Sequence, residues 1–136
     1  MEIITKSAKE TFDLGKKTGS TLIGGEVLAF EGSLGAGKTT FIQGLAEGIG
    51  IKNKIVSPTF ILMRSYNNFY HLDLYRLEGE VEKEVRNLGL FDIWENPKNI
   101  VAIEWAEKIK NIMPAKTIWI KFKNIDNERR SIDITY

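Results

Sequence analysis

Eight residues carry the clearest chemical signal in this chain: Gly32-Ser33-Leu34-Gly35-Ala36-Gly37-Lys38-Thr39, with Thr40 behind them. They match G-x-x-x-x-G-K-[ST], the spacing of a phosphate-binding loop of nucleoside triphosphatases. Glycines at 32, 35 and 37 let the backbone adopt conformations closed to other residues and come close to a ligand. The N–H groups of Gly35, Ala36, Gly37, Lys38, Thr39 and Thr40 can then turn towards an anion, backed by the positive end of a following helix. In such a loop the lysine, here Lys38, reaches the β- and γ-phosphates, and the hydroxyl of Thr39 is a ligand for Mg²⁺. The plain alternative is a glycine-rich turn with a solvated lysine.

The motif needs a strand before it and a helix after it, and both are legible. Glu26 to Glu31 reads as a strand, and Thr39 to Glu47 as a helix burying Phe41, Ile42, Leu45 and Ile49. Gly48 and Gly50 mark the end of that helix. Upstream, Glu2 to Thr5 is a short apolar edge strand. Ser7-Ala8-Lys9-Glu10 is a capping box opening a helix whose apolar residues are Phe12, Leu14 and Leu22, weakened in its middle by Gly15 and Gly19. Downstream, Pro58 breaks regular pairing within Ile55 to Phe60. Ile61–Tyr66 and Phe69–Leu74 form a hairpin about Asn67-Asn68. Glu80 to Leu88 is a charged helix stopped by Gly89, and Phe91 to Glu95 a short helical turn. Asn99 to Trp105 is an apolar run typical of a strand buried on both faces in a parallel sheet. Ile118, Ile120 and Phe122, then Ile132, Ile134 and Tyr136, alternate as a terminal hairpin around Asp126-Asn127. The expected fold is α/β, a phosphate-loop three-layer domain with central parallel strands and antiparallel hairpins at the edges.

Composition sets limits around this. The 136 residues suit one domain, 1–136, with 43% hydrophobic and 27% charged residues, ordinary proportions for a soluble protein. A net charge of +1 gives no strong nucleic-acid grip. Without cysteine there is no disulfide, thiolate zinc site or cysteine nucleophile. No 18-residue apolar run or signal-peptide pattern is present, so a soluble, cytoplasmic location is expected, with no membrane contact.

Hydrolysis needs a carboxylate near Mg²⁺ and a group to orient water. Two acids compete, each at the end of an apolar strand: Asp73 and Glu104. The run before Glu104 has no polar residue across four positions, which places Glu104 beside the metal and Asp73 in the surrounding cleft. Alternation sets His71, Asp73 and Tyr75 on one face if the strand continues that far. His71, the single histidine, is either a structural hydrogen-bonding residue or a proton shuttle. Arg76 either stabilises charge on a γ-phosphate or pairs with Glu78 at the surface. Trp105 is either core or a stacking and partner-contact residue.

Four blocks together, Gly32–Thr40, Ser57-Pro58-Thr59-Phe60, His71-Leu72-Asp73-Leu74-Tyr75-Arg76 and Glu104-Trp105-Ala106-Glu107, resemble the TsaE family of bacterial proteins in order and spacing. The family takes part in making the threonylcarbamoyladenosine modification of tRNA. The resemblance covers nearly the whole chain and implies a small Mg²⁺-dependent ATPase of the cytoplasm, weak alone and dependent on the partner proteins TsaB and TsaD. It implies that TsaD performs the threonylcarbamoyl transfer with TsaB as its scaffold, and that tRNA is met through that complex. It also implies roles by position. Lys38 and the loop hold the phosphates of ATP, Thr39 and Glu104 ligate Mg²⁺, and Asp73 orients water. Ser57, Pro58 and Thr59 are a nucleotide-sensing switch, while His71, Tyr75, Arg76 and Trp105 serve switching or partner contact. Base contacts fall to Ser7, Ala8 and Arg129. Two other readings of the loop are a small-molecule kinase, for which no lid-sized insertion is present, and a nucleotide-gated binding module without turnover.

Overall fold

Val27-Leu28-Ala29-Phe30 and Ile100-Val101-Ala102-Ile103 are apolar on both faces of any strand they form, so each must lie inside a sheet covered on both sides. That is their position in the computed structural model, which describes residues 1–33, 35–56 and 62–136. The expected switch residues Ser57, Pro58 and Thr59 lie outside these. The strands are β1 (Glu2–Thr5), β2 (Val27–Glu31), β3 (Met63–Tyr66), β4 (Phe69–Asp73), β5 (Ile100–Glu104), β6 (Ile118–Asn124) and β7 (Arg130–Thr135). They form one sheet in the order β1-β7-β6-β2-β5-β4-β3. The inner strands β6, β2, β5 and β4 are parallel, whereas β7, β1 and β3 join through antiparallel pairs. The expected α/β architecture, parallel within and antiparallel at the edges, is the observed one.

Two layers of helix cover the sheet. On one face lie α1 (Ala8–Gly19) and α2 (Lys38–Ile49). On the other lie α3 (Val81–Asn87), α4 (Leu90–Glu95) and a 3-10 segment, Ala106–Ile112. The Ser7 hydroxyl accepts from the Glu10 N–H, but the Glu10 carboxylate reaches back to the N–H of Lys6 rather than Ser7. The box therefore closes one residue earlier than the reciprocal form. At the far end of α2, Gly50 takes the left-handed conformation at φ 104°, and the N–H groups of Gly50 and Ile51 both return to the Ala46 carbonyl.

Glycines that read as weak points in the helices have another role. A Cβ on Gly15 would overlap the carbonyl oxygen of Phe41, and one on Gly19 that of Leu45. Reciprocally, a Cβ on Gly44 or Gly48 would overlap the carbonyl oxygens of Phe12 and Lys16. These four glycines let α1 and α2 touch backbone to backbone, and Gly48 and Gly50 flank Ile49, where α2 ends as expected. Phe30, Phe41 and Phe122 fill the space between that helix pair and the sheet, with ring centroids 5.6 to 6.2 Å apart. Such edge and tilted contacts contribute about 0.5–1.5 kcal/mol per pair beyond simple burial.

Candidate functional site

A strand that ends in an acid beside a strand that runs into a glycine loop creates a crevice at the carboxyl edge of the sheet. Here Phe30 of β2, Glu104 of β5 and Asp73 of β4 lie side by side in register, so both acids project to the α2 face. The two acids that compete in the sequence are therefore neighbours. Asp73 and Glu104 line one cleft of about 510 Å³ together with Gly35 to Thr40.

The loop itself is shaped by its glycines. Gly32 sits at φ 146°, where a Cβ would press on the backbone and side chain of Phe122. Gly35 and Gly37 have φ of 73° and 96°, and α2 begins after Gly37 without any side-chain cap. The first N–H groups of that helix thus keep their donors for a ligand, which with the helix dipole makes an anion site.

Lys38 is only 4% exposed. Its Nζ donates to the carbonyl of Gly32 and lies 3.9 Å from the ring centroid of Trp105. Burial lowers its pKa from the usual lysine value, with partial opposition from the carboxylates of Glu104, Glu107 and Asp73. A buried ammonium seated on one carbonyl and one aromatic face is a cation ready for an anionic partner. Trp105 is held there at a cost: it is a bulky residue in the left-handed region, φ 60° and ψ 36°. Such a conformation costs on the order of 1–3 kcal/mol. Its ring packs against Tyr75 at 5.1 Å.

Next to Lys38, the Thr39 hydroxyl donates to Glu104 Oε1 at 3.3 Å. The other oxygen, Oε2, is 2.7 Å from Nε2 of His71, which is fully buried. Asp73 accepts from the N–H of Tyr75 through Oδ1, a turn that ends β4. Tyr75 consequently leaves the strand, and only His71 and Asp73 share the expected face; Tyr75 is 42% exposed. Arg76 is exposed and is not among the cleft-lining residues.

Hydroxyl and carboxylate oxygens form a donor set suited to a hard divalent cation such as Mg²⁺. Among the described residues no group of three or more His, Asp or Glu could hold a metal unaided. An ion between Thr39 and Glu104 would complete its shell with phosphate oxygens and water, the usual arrangement for Mg²⁺.

The cleft extends beyond the loop. Ser7, Ala8 and Thr11 from the start of α1 form one wall, and Asn127, Glu128 and Arg130 from the terminal hairpin the other. Arg129 is instead paired with Asp126, Nε to Oδ2 at 2.7 Å, and is not a lining residue. Arg130 points the guanidinium towards the loop, 3.3 Å from the Gly35 carbonyl. Its signal was available: Arg130, Ile132 and Ile134 share one period-2 face, and Arg129 lies off it. Glu107 is a second addition. Its Oε1 is buried without a hydrogen-bond partner among the described residues, and burial raises its pKa above the usual carboxyl value.

The family model described as "Threonylcarbamoyl adenosine biosynthesis protein TsaE" matches residues 5–132. Among curated proteins, the tRNA threonylcarbamoyladenosine biosynthesis protein TsaE of a Nostoc species is 42% identical over 141 residues, covering 98% of this chain and 85% of its own. The protein of the same name from Bacillus subtilis is 38% identical over 135 residues, covering 96% and 82%. The crystal structure of Bacillus subtilis YdiB superposes with a TM-score of 0.79 at 32% identity, over 98% of this chain and 83% of that one. The chain belongs to the TsaE family of tRNA threonylcarbamoyladenosine biosynthesis proteins.

Proposed function

We propose that this protein binds and hydrolyses ATP with Mg²⁺, and that it does so as an accessory to TsaB and TsaD in the threonylcarbamoyladenosine modification of tRNA in the bacterial cytoplasm. The observation that carries the reading is the contact of Thr39 Oγ1 with Glu104 Oε1, 3.3 Å, at the foot of a glycine loop whose lysine is buried.

The chain's residues divide the work by their positions. Backbone N–H groups from Gly35 to Thr40 bind the phosphates, and Lys38 exchanges the Gly32 carbonyl for β- and γ-phosphate oxygens. Thr39 and Glu104 would hold Mg²⁺, which would supply charge neutralisation of the phosphates when bound. Asp73, beside Glu104 in register, orients a water molecule in line with the γ-phosphorus. Water adds to that phosphorus, the bond to the ADP oxygen breaks, and inorganic phosphate and ADP leave. The walls formed by Ser7, Ala8, Thr11 and Arg130 enclose the nucleoside end. Lys38 begins each cycle seated on Gly32 and Trp105, and this supports weak turnover alone and regulation by a partner that touches the half-exposed Trp105–Tyr75 stack. With a net charge of +1, tRNA is met through the partners rather than by this chain.

The test is size-exclusion chromatography with purified TsaB–TsaD, with and without ATP, combined with an assay for released phosphate. Co-elution that depends on ATP, with phosphate appearing as the free anion, is expected. No association at micromolar protein, or phosphate transferred to an acceptor, would contradict the reading.

A further inference from the structure

His71 is buried completely, on the face of β4 that looks towards α2. A histidine in that place has a poor claim on stability grounds, because its Nδ1 is buried with no hydrogen-bond partner among the described residues. A leucine or methionine there would carry no unsatisfied polar atom of its own, but it would leave the buried Glu104 Oε2 without this donor. What the imidazole does gain is a single bond: its Nε2 is 2.7 Å from Glu104 Oε2. The register explains the reach. His71 pairs with Ala102 and Asp73 with Glu104, so the ring extends diagonally past a residue with only a methyl side chain. Glu104 is then fixed from two elements at once, by Thr39 of α2 on Oε1 and by His71 of β4 on Oε2.

We propose that His71 is a positioning residue for the Mg²⁺ site: its Nε2–H holds one oxygen of Glu104 so that the other stays aimed at Thr39 and the bound cation. This rests on the assignment of Glu104 and Thr39 to Mg²⁺ made above. The hydrogen belongs on Nε2 because an ionised carboxylate only accepts. A second group that orients a metal ligand typically changes metal affinity by about 10–100-fold when removed. The two-bond anchorage also accounts for a buried carboxylate, 3% exposed, with a defined orientation and both oxygens bonded.

Two substitutions separate positioning from structure. In His71→Gln the amide Nε2–H can replace the imidazole donor, whereas in His71→Leu no donor remains. ADP affinity is measured by calorimetry in EDTA and across a Mg²⁺ titration, alongside thermal unfolding. In His71→Leu the Mg²⁺ concentration for half-maximal enhancement of ADP affinity should rise about tenfold or more, with EDTA affinity within twofold of wild type, while the unfolding midpoint falls because Glu104 Oε2 loses its buried donor. His71→Gln should return the Mg²⁺ requirement to within about threefold of wild type. A wild-type Mg²⁺ response in His71→Leu overturns the proposal. So does an equal loss of affinity in EDTA, or failure of His71→Gln to restore the response, because either marks His71 as structural only. Should wild type itself show no Mg²⁺ effect on ADP affinity, the Glu104–Thr39 assignment fails instead, and the His71 proposal falls with it.

Discussion

The two faces of the sheet are packed by different means. Beneath α3, α4 and the 3-10 segment, Val27, Ala29, Leu72, Val101 and Ile103 meet Val85, Leu90, Trp94 and Ile109, an interior of apolar side chains. Beneath α1 and α2, four glycines bring two helices into backbone contact, and Lys38, His71 and Glu104 are buried in the same layer. The first face derives its stability from apolar area, at roughly 25 cal/mol per Å². The second accepts polar groups that cost stability and arranges them against a rigid helix pair. That pair joins the Ser7–Thr11 wall of the cleft directly to the glycine loop, so one unit would grip both the nucleoside end and the phosphate end of the proposed nucleotide. Chemistry sits where the packing is tightest at the backbone.

This contrast can be broken by substitution on each face. Ile103→Ala, on the apolar face, should lower unfolding stability by about 3–4 kcal/mol with nucleotide affinity unchanged below the new midpoint, as measured by urea unfolding and calorimetry. Loss of affinity in the folded variant would show that the faces are not separable. Lys38→Met should do the reverse, weakening ATP binding about a hundredfold, near 2.7 kcal/mol, while raising stability by about 1 kcal/mol at pH 7. The sign follows from the lowered lysine pKa: the unfolded chain binds more protons at this group, so wild-type stability rises as pH climbs through the folded pKa towards 10.5. Thermal unfolding from pH 8 to 10.5 should show that rise in wild type and a flatter profile in Lys38→Met. The smallest expected effect comes from Gly44→Ala, about 2 kcal/mol of destabilisation from the overlap with the Phe12 carbonyl, set against the helix propensity that alanine adds. A gain in stability would mean that α1 and α2 can separate without penalty.

The architecture was legible because its signals are local. Uninterrupted apolar runs at Val27–Phe30 and Ile100–Ile103 specify inner parallel strands, and the alternation from Ile118 and from Ile132 specifies the terminal antiparallel hairpin. The glycine loop, Lys38, Thr39 and Glu104 came from spacing and from a strand end, and the structure gathers them in one cleft. What escaped depends on contacts across the chain. Gly15 and Gly19 read as helix weakeners because propensity describes a helix alone; their i, i+4 spacing, repeated at Gly44 and Gly48, was the trace of a helix–helix seam. Tyr75 would share the strand face only if β4 ran that far, and alternation alone does not show that Asp73 ends the strand with its own side chain. Arg129 was named where Arg130 faces the cleft, a one-residue difference that reverses the side of a strand. Glu107 belongs to the Glu104–Glu107 block of the family resemblance but receives no role from it, since its partial burial comes from the segment after β5 folding back beside the loop.

The claim on which the rest depends is that Thr39 and Glu104 hold a cation that ATP hydrolysis needs. It is tested most directly by phosphate release from ATP across a Mg²⁺ titration for wild type and Glu104→Ala, with ADP affinity in EDTA measured on the same preparations. The account predicts that Glu104→Ala loses Mg²⁺-dependent turnover by at least about a hundredfold and keeps metal-free nucleotide affinity. Turnover equal to wild type at every Mg²⁺ concentration would contradict it and move the metal to Asp73.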